Sequence, residues 1–204
     1  MRLRLFLLFA IACGSSDSTE RLDRTGLDLN ACGGNTFLSI DGLTPGDPVD
    51  YLELRGGLTT STIGSLCGGA SDAAACMDAY NNLLPAGDGW AETPGGGAPP
   101  SFAYLVFTRG DEVGVIGTGA VNAFLAPVAS AANAAFLAQV QTRGFVACDI
   151  PAAQEVPGGF EVITTTTFPC GGAVEDSRVF VGADGETTVL ETAVVNRGRE
   201  EICP

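Results

Sequence analysis

Apolar and polar positions along the chain follow two periods, and the switches between them mark the predicted elements. Phe102 to Thr108 carries no charge, and both of its alternating sets are apolar: Phe102, Tyr104 and Val106 on one side, Ala103, Leu105 and Phe107 on the other. A strand that is apolar on both faces is a central one, covered above and below. Arg109-Gly110-Asp111-Glu112 supplies a polar, glycine-containing turn, and Val113 to Ile116 reads as the returning strand. Val49 to Leu54 alternates as a half-buried strand does, and Phe37 to Ile40 is a shorter strand candidate. Towards the C-terminus, Phe145 to Cys148 is short and Phe160 to Phe168 is β-branched almost throughout. Arg178 to Val181 and Thr187 to Val195 flank Asp184-Gly185, a strong hairpin signal.

Between these runs the period becomes helical. Cys76, Tyr80, Leu83 and Leu84 recur at helical spacing, with Ser71 as predicted N-cap, Asp72 beside the positive end of the dipole, and Pro85 as the stop. Ala120 to Ala126 is a short helix ended by Pro127. Ser130 caps a longer one through Arg143 that presents Ala132, Phe136, Leu137 and Val140, with Gly144 as the C′ residue. Pro94 to Pro100 can only be a loop. Two strands, helices and then about four strands predict an α+β domain. Its antiparallel sheet has about five to seven strands, with two or three helices packed on one face.

Composition bears mainly on which chemistry is open to the chain. The 204 residues suit one domain, and 46% apolar content excludes global disorder. Acidic residues number 24 against 10 basic ones, all of them Arg. Such a surface repels phosphate backbones, so no nucleic-acid partner is expected. Without His or Lys there is no imidazole base, no Ser-His-Asp system, no Schiff-base amine and no phosphate-cradling lysine. Carboxylate-pair hydrolysis is still open, with Asp111, Glu112, Glu161 and Glu191 nearest the predicted strands. Asp28 to Gly33 begins like a calcium loop, but Cys32 replaces a ligand and Ser39 stands where the closing Glu belongs. Arg109-Gly110-Asp111 spells the adhesion tripeptide, although Gly-Asp is also ordinary turn chemistry. No metal or cofactor is expected.

The first twelve residues form a targeting signal, with Arg2 and Arg4 ahead of the apolar run Leu5 to Ala12. Eight helical residues rise only about 12 Å, too short for a ~30 Å hydrocarbon core. Ala10-Ile11-Ala12-Cys13, followed by the polar Gly14-Ser15-Ser16-Asp17-Ser18-Thr19, resembles the lipobox of a bacterial lipoprotein precursor, with Ala10 where that family prefers Leu. The resemblance implies a diacylglyceryl thioether on Cys13, removal of residues 1–12 and acylation of the new N-terminus. An ordinary secretory signal cut after Ala12 is the alternative. By the same analogy, Gly14 in place of Asp points to the outer membrane over the inner. Residues 13–31 are then expected to be a lipid-anchored flexible tether and 32–204 a single domain.

Cysteine arithmetic agrees. With Cys13 lipidated, six of the seven cysteines stay in the oxidising compartment: Cys32, Cys67, Cys76, Cys148, Cys170 and Cys203. Six allow many connectivities; the expected pairs are Cys67–Cys76 across a short loop, Cys148–Cys170 at the ends of neighbouring strands, and Cys32–Cys203 joining the domain's ends. The function expected is a lipid-anchored cell-envelope protein with a non-catalytic interaction or structural role. Its partners would be the membrane, through the lipid, and an envelope protein. A carboxylate-dependent hydrolase of envelope polymers and a small-ligand or inhibitor-type binding module are the alternatives.

Overall fold

The computed structural model describes residues 21–31, 39–57, 59–92, 101–147, 150–168 and 172–196. Within them the chain is α+β with antiparallel pairing, but the strands divide into two five-stranded sheets instead of one. The first contains β1 (Tyr51–Arg55), β2 (Ser61–Gly64), β3 (Trp90–Glu92), β4 (Ser101–Arg109) and β5 (Glu112–Ile116), ordered β2-β1-β4 with β3 and β5 also pairing β4. The second contains β6 (Phe145–Val146), β7 (Ala153–Val156), β8 (Gly159–Thr167), β9 (Val174–Gly182) and β10 (Thr187–Asn196). Its order is β10-β9-β8, with β6 and β7 both pairing β8. Three helices, α1 (Ala73–Asn81), α2 (Val121–Leu125) and α3 (Ala131–Thr142), complete the described elements.

The predicted central hairpin forms, with Leu105↔Ile116 through Arg109↔Glu112 in register. Strand β4 also pairs β1 from Tyr51↔Thr108 to Arg55↔Tyr104. Its two-sided apolar pattern follows from its place between two layers. Leu52 and Leu54 of β1 and Ala103, Leu105 and Phe107 of β4 point inward. They share one core with Phe136 and Leu137 of α3 and with Phe160, Val162, Val179 and Val181 of the second sheet. Tyr51, Glu53, Tyr104, Val106 and Thr108 alternate with these on the outer face and are buried as well. Phe102, two residues beyond the pairing with β1, is 57% exposed.

Helix α3 is buried continuously from Asn133 to Gln139, as a helix enclosed by the core must be. Phe136 meets Trp90 edge-on, with ring centroids 5.4 Å apart. Ser130 caps it, its Oγ accepting from Asn133 N–H at 3.2 Å. The stop falls one residue before Gly144: Arg143 itself takes the left-handed backbone, φ 55°. Asn133 ties three segments together, accepting from Thr44 N–H at 2.9 Å and donating to the carbonyls of Thr44 at 2.7 Å and Leu125 at 3.2 Å.

Other boundaries differ from expectation for identifiable reasons. Helix α1 is capped by Asp72, which accepts from Ala74 and Ala75 at 3.0 Å, because Ser71 is bonded elsewhere. It ends at Asn81, and Leu84 is 80% exposed, so the period read there is not a buried face. Of the expected strand Phe37–Ile40, Phe37 and Leu38 lie outside the described residues and Ser39 and Ile40 are not in a strand; Ile40 is nonetheless fully buried in the core. The expected free tether is docked from residue 21 onward. Leu22 and Leu27 bury against Ile163 on the outer face of the second sheet, and Leu29 bridges Ala153. Arg24 donates to the Pro151 carbonyl and Arg178 to that of Asp23. Two isolated leucines cover a sheet without leaving any sustained period. Residues 13–20 lie outside the described residues.

Candidate functional site

The most concentrated chemistry among the described residues lies on the outer face of the first sheet. Tyr51, Glu53 and Arg55 occupy alternate positions of β1 and so share one side of the pleat. Tyr80 reaches them from α1. The Glu53 carboxylate receives Arg55 Nε at 3.0 Å and Nη2 at 2.7 Å, Tyr80 OH at 2.6 Å and Tyr51 OH at 3.3 Å. The Arg55 guanidinium stacks 4.6 Å from the Tyr80 ring centre, and the Tyr51 and Tyr80 rings meet edge-on. Burial alone would raise the Glu53 carboxyl. The hydrogen bonds from Arg55 and Tyr80 outweigh it and hold the group below the usual carboxylate range. Burial, followed by the Tyr80 hydrogen bond, pushes the Tyr51 phenol well above its ordinary value.

Helix α1 is fastened over this face. The expected Cys67–Cys76 disulfide forms, and Cys67 N–H donates to Thr108 Oγ1 at 3.4 Å. The turn residues of the central hairpin take part. Asp111 accepts from Ser71 N–H at 2.6 Å and from Ser71 Oγ at 2.7 Å, and these bonds hold its carboxyl below the ordinary range. Arg109 pairs with Glu112 at 2.7 Å and with Asp47 at 3.0 Å. Gly110 N–H donates to Asp50 at 2.6 Å. The Arg109-Gly110-Asp111 turn is therefore bonded to its own fold at every residue.

Glu161 and Glu191 lie on the second sheet, on either side of Arg178: Nη1 to Glu161 at 3.2 Å and Nε to Glu191 at 3.8 Å. Glu161 also accepts from Gln154 at 2.9 Å. Asp176 is wholly buried, and Thr165 donates to its Oδ1 at 2.7 Å. The four carboxylates nearest the predicted strands thus fall in two places, Asp111 and Glu112 on one sheet, Glu161 and Glu191 on the other. Each sits against a guanidinium or against N–H and O–H donors. The start of the calcium-like stretch, Asp28 to Ala31, runs along β7, with Asp28 and Leu29 N–H both donating to Ala153. Among the described residues no group of three or more acidic, His or Cys side chains could hold a metal ion. No helix among them is long and apolar enough to cross a membrane.

Cys13, Cys32, Cys148, Cys170 and Cys203 lie outside the described residues, and with them the lipidation site and two of the three expected bridges. Sequence reasoning missed the Glu53 cluster, although its signal was present. Tyr51-x-Glu53-x-Arg55 places a phenol, a carboxylate and a guanidinium on the polar side of a strand, where an uncovered strand would leave them in water. No family model matches this chain, and neither a curated relative nor a solved structure does so.

Proposed function

We propose that the protein is a lipid-anchored component of a bacterial cell envelope whose domain serves in interaction or assembly and carries no catalytic activity. The anchor is Cys13, within Ala10-Ile11-Ala12-Cys13. Nine peptide units separate Cys13 from the docked Leu22, a reach of at most about 30 Å, so the domain stays close to the outer-membrane surface. What carries the non-catalytic reading is the commitment of the carboxylates. In a chain with neither His nor Lys they are the available acids and bases, and the buried Glu53 accepts from four donor groups.

A photo-crosslinking residue placed in turn at exposed Leu84, Phe102 and Leu190 in intact cells tests this. A discrete envelope-protein adduct from at least one position is the expected result. Hydrolysis of a glycan or peptidoglycan panel by the pure protein, abolished by Glu161→Gln or Glu191→Gln, would replace the proposal with the hydrolase reading.

A further inference from the structure

The covering of the first sheet by α1 has an unusual construction. Of the helix's nine residues only Cys76 is buried, so the side chain that anchors it is itself half of the disulfide. The other ties are the Tyr80 side chain, which bonds Glu53, lies against the Arg55 guanidinium and meets the Tyr51 ring, together with the hydrogen bonds of Cys67 N–H to Thr108 and of Ser71 to Asp111. The neutral Cys67 bond exchanges with water at small net cost, whereas the bonds to the Glu53 and Asp111 carboxylates are stronger, less so where they are exposed. Cys67 is held in a left-handed backbone, φ 56°, a conformation that persists only where its surroundings enforce it. Gly68 and Gly69 follow it in the connection to the helix, so that the segment gains much freedom once it is let go. Beneath lie Tyr51 and the Glu53–Arg55 pair, backed by strands that stay hydrogen-bonded to one another without α1.

We propose that Cys67–Cys76 is a redox latch: reduction releases α1 and its glycine-rich lead-in as a unit and uncovers the Tyr51–Glu53–Arg55 face, while both sheets stay folded. The chemistry is dithiol–disulfide exchange. A thiolate of an envelope dithiol attacks one sulfur, the Cys67–Cys76 bond breaks, and the other cysteine leaves as thiolate. The second thiol of the reductant resolves the mixed disulfide. Two electrons and two protons pass to the protein, giving two cysteine thiols and an oxidised reductant. The oxidised state is covered and the reduced state open.

The chain's three tyrosines, Tyr51, Tyr80 and Tyr104, all lie on the outer side of the first sheet, and its one tryptophan, Trp90, packs on the inner side. Tyrosine signals therefore read the latch and tryptophan emission reads the core. The test compares the oxidised full-length mature protein with its Cys67→Ser/Cys76→Ser variant, which leaves the other cysteines intact. In the variant, amide hydrogens of Cys76 to Asn82 should exchange about a hundredfold faster, the loop-entropy value for so short a ring. Those of Leu105 to Thr108 should keep their wild-type rates, and Trp90 emission should not move. Alkaline titration should show Tyr51 falling from its raised value toward that of an ordinary phenol, with the neighbouring Glu53 keeping it above that value. Retained protection in α1 would overturn the latch, because the helix would then not need the disulfide. Joint loss of protection in α1 and β4, or a variant that does not fold, would overturn it too, because the bridge would then hold the whole domain.

Discussion

Replacing Glu53 by Gln removes one charge and almost no volume, which isolates the electrostatics of the outer face. The wild-type carboxylate accepts two bonds from Arg55, at 3.0 and 2.7 Å, and one from each of Tyr80 and Tyr51, at 2.6 and 3.3 Å. In the Glu53→Gln variant the neutral amide accepts at one oxygen alone and turns its own N–H donors toward groups that also donate. Breaking a buried ion pair costs about 3–5 kcal/mol. The Arg55 side chain keeps 26% of its surface, so water recovers part of that, and about 3 kcal/mol is the expected loss. For a domain of this size that is a drop of roughly 6–12 °C in Tm. The pH dependence has a definite sign. The Glu53 carboxyl lies lower in the folded chain than when unfolded, so its contribution is complete above about pH 4.3 and is lost as pH falls through the lowered value. Denaturant melts of the oxidised wild type and of Glu53→Gln, from pH 7 to pH 3, should give a gap that is flat near neutrality and closes on acidification. A gap under about 0.5 kcal/mol at pH 7, or one that widens in acid, would mean that the Glu53 charge does not hold this face together.

Asn133→Ala should cost about 2–3 kcal/mol in denaturant melts, because the buried Leu125 carbonyl loses its donor. Asn133→Asp should be worse by about 2 kcal/mol near neutrality, since its carboxylate would face two carbonyls, and should recover as pH falls and the carboxyl protonates. Gly64→Ala combines φ +82° with a Cβ that would overlap the Asp50 carbonyl oxygen, and should lower stability by more than about 2 kcal/mol in the same melts. Asp111→Ala should speed hydrogen exchange in the first turn of α1 without altering cell adhesion. In the wild type the same loosening should appear as pH falls below the lowered carboxyl value of Asp111, where its bonds to Ser71 are lost.

Periodicity located the long elements, through a continuous buried face in β4, β8, β9 and α3 and through turn chemistry and β-branched composition in β5 and β10, whose residues are not buried. The β4–β5 hairpin, β8, the β9–β10 hairpin and α3 with its Ser130 cap all lie within a few residues of where the pattern puts them. Of the short strands β6 was legible, at the start of the Phe145–Cys148 run, and three others were not. Ser-Thr-Ile-Gly in β2, Trp-Ala-Glu in β3 and Ala-Gln-Glu-Val in β7 are too brief to establish a period and form because a longer neighbour offers an edge. The division into two sheets was hidden for a related reason: alternation shows that a face is buried, not which layer buries it. Docking of residues 21–31 depends on Leu22, Leu27 and two arginine-to-carbonyl bonds, contacts distant in sequence that no local rule anticipates. Cys67–Cys76 was legible because its loop is short. The Glu53 cluster was half legible: β1 shows the triad, and Tyr80 arrives through tertiary packing.

The anchor is the claim on which the proposed role depends most, and the intact mass of the native protein extracted from membranes tests it directly. The expected mass is that of a chain that begins at Cys13 and carries a diacylglyceryl group and an N-linked acyl chain. A mass corresponding to an unmodified Cys13, or to a chain that still holds residues 1–12, would contradict the anchor.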